Sequence, residues 1–110
     1  MTIREMIDRF SLRVEAEGSD GGHVLEGCYI GDLLSRVISR GRPGGVWITI
    51  MNNVNVAAVA LLADIPCIVL AEGVEPSQEL REKCADEGIF LLSSERSAYE
   101  LAAAFARAQA

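Results

Sequence analysis

Positive charge is what this chain has least of. Its 110 residues carry 16 acids against 10 bases, a formal net charge of −6, and only one of the bases, Lys83, is a lysine. A nucleic-acid binder needs a basic stripe to displace counterions from phosphates. No stretch here supplies one, and the same acidic balance repels anionic membranes. Aromatic residues make up 5%, so a core must be built from Val, Ile, Leu and Ala, which suits α/β layers better than an aromatic-rich barrel. Cysteine is scarce and odd in number. Cys28, Cys67 and Cys84 stand far apart with no C-x-x-C, which argues against a disulfide framework or a zinc site and favours a reducing, cytoplasmic compartment. No metal and no other cofactor is expected.

Other absences narrow the chemistry. "MTIREMIDRF" holds acids and lacks the apolar run of a signal peptide. The longest mostly apolar stretch, 54–70, is broken by Asp64 and Pro66, so no membrane span is expected. There is no P-loop string, and "GRPGG" precedes a strand, whereas a phosphate cradle joins a strand to a helix. The single histidine, His23, follows a glycine-rich turn and reads as a turn residue. No Ser/His/Asp or Cys/His set can be assembled, so no catalytic residue is nominated.

What is present is apolar periodicity. Half of the residues are hydrophobic, and the length suits one domain, residues 1–110. "TIREMIDRF" has Thr2 and Glu5 at capping-box spacing, with Ile3, Met6, Ile7 and Phe10 on one helical stripe. "SLRVEAEG" alternates, so Leu12, Val14 and Ala16 are expected inward, and residues 23–30 are expected to complete a hairpin with it. Asp32 is placed to cap the next helix, and Gly41 to end it in a left-handed conformation. From residue 46 the order is βαβαβα. Buried runs "VWITI", "CIVLA" and "IFLLS" alternate with helices, the second of which opens on Pro76 and ends at Gly88. Ser97 and Glu100 form another capping box. Continuous apolar strands joined by helices imply a mainly parallel sheet with right-handed crossovers. The expectation is a small three-layer α/β domain with the N-terminal helix and hairpin at one edge.

In an open parallel sheet, ligands sit beyond the carboxyl ends of the strands. Three loops qualify, 49–55, 72–77 and 93–97. They nominate Thr49, Asn52, Asn53, Asn55, Glu72, Gly73, Ser93, Ser94 and Arg96 as ligand-binding candidates. The three asparagines exceed what capping one helix requires. Capping is assigned to Asn53 or Asn55 and ligand contact to Asn52, with simple turn formation as the competing explanation. The helix over 54–62 has almost no polar face, so it is expected to be covered on both sides, by the sheet and by another helix or subunit. A homodimer follows.

The segment from "GCYIGDLLS" (27–35) through "WIT" (47–49) to "SAYE" (97–100) resembles the DRTGG domain family. It is most similar to small stand-alone members labelled as relatives of the HPr serine kinase. The five-letter string itself is absent. Asn52–Asn53 and 71–73 stand nearest the places of its Asp-Arg and Thr-Gly-Gly portions. The resemblance implies an accessory or sensory domain, because in HPr kinase such a domain precedes a separate catalytic domain that carries the P-loop. Other members accompany regulatory modules, phosphotransacetylases or iron–hydrogenase systems. The leading expectation is therefore a non-catalytic regulatory domain that binds a small anionic metabolite or nucleotide and serves a metabolic or redox enzyme. One alternative is a docking module for a partner enzyme without a metabolite. A weaker one is a small enzyme with Glu72 or Glu75 as acid/base.

Overall fold

The computed structural model describes residues 1–109. Elements run α1 (Ile3–Phe10), β1 (Arg13–Ala16), β2 (Cys28–Ile30), α2 (Leu34–Arg40), β3 (Val46–Thr49), α3 (Asn55–Leu62), β4 (Cys67–Leu70), α4 (Gln78–Glu87), β5 (Phe90–Ser93) and α5 (Ala98–Gln109). One five-stranded sheet has the order β1-β5-β4-β3-β2. β2 to β5 are mutually parallel and β1 is antiparallel to β5.

Each crossover steps one strand in the same direction. Right-handedness therefore puts α2, α3 and α4 on one face, while α1 and α5 take the other. The strands' period of two sorts their side chains accordingly. Val46, Ile48, Cys67, Val69, Phe90 and Leu92 pack with α1 and α5. Trp47, Ile68, Leu70 and Leu91 pack with α2, α3 and α4. Both faces of β3, β4 and β5 are buried, which is why these strands read as unbroken apolar runs. Each such side chain removed from water contributes about 1.5–3 kcal/mol.

The helix ends follow local chemistry. Thr2 Oγ1 accepts from the Glu5 amide at 3.1 Å, and Glu5 Oε1 accepts from the Thr2 amide at 2.8 Å. Ser97 and Glu100 repeat the exchange at 3.2 and 3.0 Å. Gly88 ends α4 at φ 70°, as its position predicts. Pro76, expected to open α4, lies one residue ahead of the true cap, Ser77, whose hydroxyl accepts from Leu80 N. Gly41 ends α2 at φ −58° rather than in the left-handed region.

The expected hairpin does not form. β1 and β2 occupy opposite edges of the sheet. The segment between them crosses the amino ends of the strands instead, and its backbone is spent on that crossing. Ser19 N donates to Gly88 O, Leu25 N to Met1 O and Glu26 N to Gly44 O, while Val46 N donates to Gly27 O. Gly18 lies so close to Phe90 that a Cβ there would come within 2.7 Å of the Phe90 backbone nitrogen. The expected alternation of β1 also fails. Val14 is 40% exposed on the edge strand, and the register slips after it, between Val14 and Ala16, in a bulge. The bulge lets Leu12 join one core and Ala16 the other. α3 is covered by the sheet and flanked by α2 and α4, while Leu61 and Leu62 on its outer side are exposed.

Candidate functional site

The three nominated loops do meet at the carboxyl ends of β3, β4 and β5. β4 is the middle strand, so the loop after it lies between the other two. Most of the nominated polar groups hold the loops to one another. Asn52 Nδ2 donates to Glu75 O at 2.7 Å, and Ser77 N donates back to Asn52 O at 3.0 Å. Glu72 N donates to Arg96 O at 2.8 Å and Gly73 N to Ser94 O at 2.9 Å. Asn53 Oδ1 accepts from Asn55 N, and Ser94 Oγ from Arg96 N, each closing a short turn. The side chain assigned to a ligand, Asn52, is thus a strap between loops, and Asn53 supports the start of α3. The Asn55 side chain, the Glu72 carboxylate and the Arg96 guanidinium are exposed. Arg96 lines a groove along α5 with Tyr99, Glu100 and Arg107.

The remaining two candidates are buried hydroxyls, and each is paired with a carboxylate that sequence reasoning did not connect to it. Thr49 and Ser93 are the buried polar residues of the core. They occupy the last positions of β3 and β5, on the α2–α4 face. Thr49 Oγ1 donates to Asp32 Oδ1 at 2.7 Å, and Asp32 also accepts from Ile50 N at 3.1 Å. Asp32 therefore ties the end of β3 rather than capping α2, which begins at Leu34 with no side-chain cap. Ser93 Oγ donates to Glu15 Oε2 at 2.7 Å. Glu15 is the extra residue of the β1 bulge, and its side chain is only 8% exposed. Arg81 reaches its other oxygen from Nε at 3.3 Å and Nη2 at 3.1 Å, and Arg13 stands at 4.0 Å. Burial works to raise the Glu15 pKa. The Ser93 hydroxyl, Arg81 and Arg13 more than offset it, so the group sits below its ordinary value.

One of the three non-glycine residues with positive φ, the others being Ser11 and Asp64, stands beside this lip. Glu72 has φ 61° and Gly73 φ 72°, and Val74 N donates to Ala71 O at 3.2 Å. That is a turn with both central residues left-handed, a conformation glycine accepts and glutamate adopts at a cost of about 1–3 kcal/mol.

The cysteines take no part in the lip. All three are free, and burial pushes Cys28 up to about 11 and Cys84 to about 12 and raises Cys67 as well. These thiols stay protonated near neutral pH and behave as small core side chains. Among the described residues no cluster of His, Cys, Asp and Glu has the form of a metal site, and no helix is long and apolar enough to cross a membrane.

Comparison with known proteins places the chain. The family model described as "DRTGG domain" matches residues 18–108. The chain belongs to the DRTGG domain family. The match leaves out α1 and all of β1, so Glu15 lies outside the stretch matched to the DRTGG domain. No curated protein matches. Among solved structures, the chain is similar to the CBS and DRTGG domains of the regulatory region of Clostridium perfringens pyrophosphatase, which was crystallised with an activator, diadenosine tetraphosphate. The TM-score is 0.75 at 11% identity, over 91% of this chain and 44% of that one. At that identity the likeness establishes the DRTGG fold, and this chain spans less than half of the structure it resembles.

Proposed function

We propose that this DRTGG domain, residues 1–110, is a regulatory domain that senses a small anionic metabolite or nucleotide at the carboxyl-end lip and reports to an enzyme partner. One observation carries the reading. Glu72, at the tip of the middle strand, is held in a strained left-handed conformation by hydrogen bonds to the loop after β5. Strain of this kind persists only where surrounding structure enforces it, and it concentrates at binding and switch regions. The cross-bonds from 72–77 to both neighbouring loops mean that a ligand displacing one loop must move all three. Arg96 is the basic side chain assigned to the anion, and the exposed Asn55 and Glu72 of the neighbouring loops are its candidate companions. The regulatory setting of the pyrophosphatase neighbour supports the same reading. The three free thiols favour a reducing, cytoplasmic setting, and the uncovered side of α3 favours a homodimer.

The test is a thermal-shift and calorimetric titration against nucleotides, dinucleoside polyphosphates, acyl phosphates and sugar phosphates. A binder raises the melting temperature as its concentration rises above Kd, and Arg96→Ala is expected to weaken the best ligand about tenfold or more. Saturating curves that are identical for wild type and Arg96→Ala would remove the lip from consideration.

A further inference from the structure

The outer side of the α2–α3–α4 layer leaves large apolar side chains uncovered. Leu62 is 73% exposed, Leu61 50% and Ile38 48%. Asn55 and Ala58 continue the outward stripe of α3, and α3 itself, NVAAVALL, carries no charge. The helices on either side of it differ in sign. α2, LSRVISR, has Arg36 and Arg40 and no acid. α4, QELREKCADE, has Glu79, Glu82, Asp86 and Glu87. Its two bases are already engaged, Arg81 with Glu15 and Lys83 with Glu87. Arg36, Arg40, Glu79, Glu82 and Asp86 are exposed, and among the described residues none of them makes an ion pair.

The layer is therefore basic, neutral and acidic from one side to the other, and the order selects its own partner. A two-fold axis in the plane of contact can run along α3 or across it. Running along α3, it sets α3 on α3 of the other copy and lays each basic α2 over the acidic α4 opposite. Running across, it lays α2 on α2 and α4 on α4, with like charges facing. Complementary charge orients association, and like-charge contact is penalised. An isologous interface needs this kind of self-complementary patch.

We infer that this face pairs with a second copy of the chain, about a two-fold axis parallel to α3. The inference rests on the two-copy reading above and assigns its surface and orientation. Leu62 and Ala58 lie near the axis and meet their own counterparts. Arg36 and Arg40 face the acids of α4 across it.

Sedimentation equilibrium of the full chain, with Leu62→Glu beside it, tests the surface. Wild type is expected to be a dimer at micromolar concentration, and Leu62→Glu to weaken it about thirtyfold or more, as loss of a central apolar anchor does. The melting temperature of the variant reports that its fold is kept. Oxidative cross-linking of Ala58→Cys and Leu62→Cys, each made singly, tests the axis. With the axis along α3, both positions face their own copies and both cross-link. With the axis across it, at most one does, because residues four apart are offset by about 6 Å along a helix and a disulfide needs Cα atoms within about 7 Å. A monomeric wild type overturns both the dimer and this face. A dimer indifferent to Leu62→Glu overturns the face and leaves the dimer standing. Cross-linking at one position only overturns the axis.

Discussion

The sheet ends the same way twice, in two different surroundings. At the end of β3, Thr49 gives its hydroxyl to Asp32, and at the end of β5, Ser93 gives its hydroxyl to Glu15. Both hydroxyls are buried and face the same helical layer. In each case the acceptor comes from the adjoining edge of the sheet, Asp32 from the loop after β2 and Glu15 from β1. Asp32 is exposed, with a hydroxyl and one amide as its partners. Glu15 is sunk in a bulge and shares its charge with Arg81 and Arg13. One bond geometry thus serves two purposes. The Asp32 pair closes a loop, whereas the Glu15 pair locks the antiparallel edge strand to α4 and β5.

The largest effect is expected where the carboxylate is most buried. Glu15→Ala leaves the Ser93 hydroxyl and one side of Arg81 without an acceptor, and a destabilisation of about 3 kcal/mol is expected in urea melts. Asp32→Ala tests the other half of the comparison. Water reaches Ile50 N, so the loss is confined mainly to the buried Thr49 hydroxyl, about 1 kcal/mol. Equal losses for the two variants would erase the distinction.

Acid titration sharpens it further. The Glu15 pKa is lower in the folded chain than its ordinary value of 4.5. Its contribution to stability is therefore complete above about that pH and is lost as pH falls through the folded-state value. Glu15→Gln should flatten the stability curve below pH 4.5 relative to wild type, and an unchanged curve would show that the Arg81 and Ser93 contacts favour neither protonation state.

Asn52→Ala removes the strap to Glu75 O and is expected to cost about 1 kcal/mol, placing this residue among the supports of the lip. Glu72→Gly is the smallest in stability and the most informative. Relief of the left-handed strain should leave the stability equal or slightly higher, by about 1 kcal/mol at most after the entropy cost of glycine, while ligand binding weakens.

The interior of the fold was legible because local pattern and tertiary position agree there. β3, β4 and β5 are buried on both faces and read as unbroken apolar runs. The caps at Thr2, Ser97 and Gly88 depend on neighbours three or four residues away. The edges were not legible. Residues 17–27 share their hydrogen bonds between the strand starts and the start of α1, all remote in sequence, so nothing local distinguishes that crossing from a hairpin. The bulge at Glu15 answers to Ser93 and Arg81, 78 and 66 residues away, and it hides a carboxylate inside an otherwise regular alternation. Among the lip residues, position was legible and engagement was not. The nominated loops do converge, but a one-dimensional reading cannot tell an asparagine that straps two loops from one that waits for a ligand.

The regulatory reading is tested most directly by calorimetric titration of wild type and Glu72→Gly with the strongest nucleotide or phosphate ligand from the screen, each beside its own thermal melt. A sensing lip built on the strained turn predicts weaker binding in Glu72→Gly at undiminished stability. Binding as tight as wild type in an equally stable variant would contradict it.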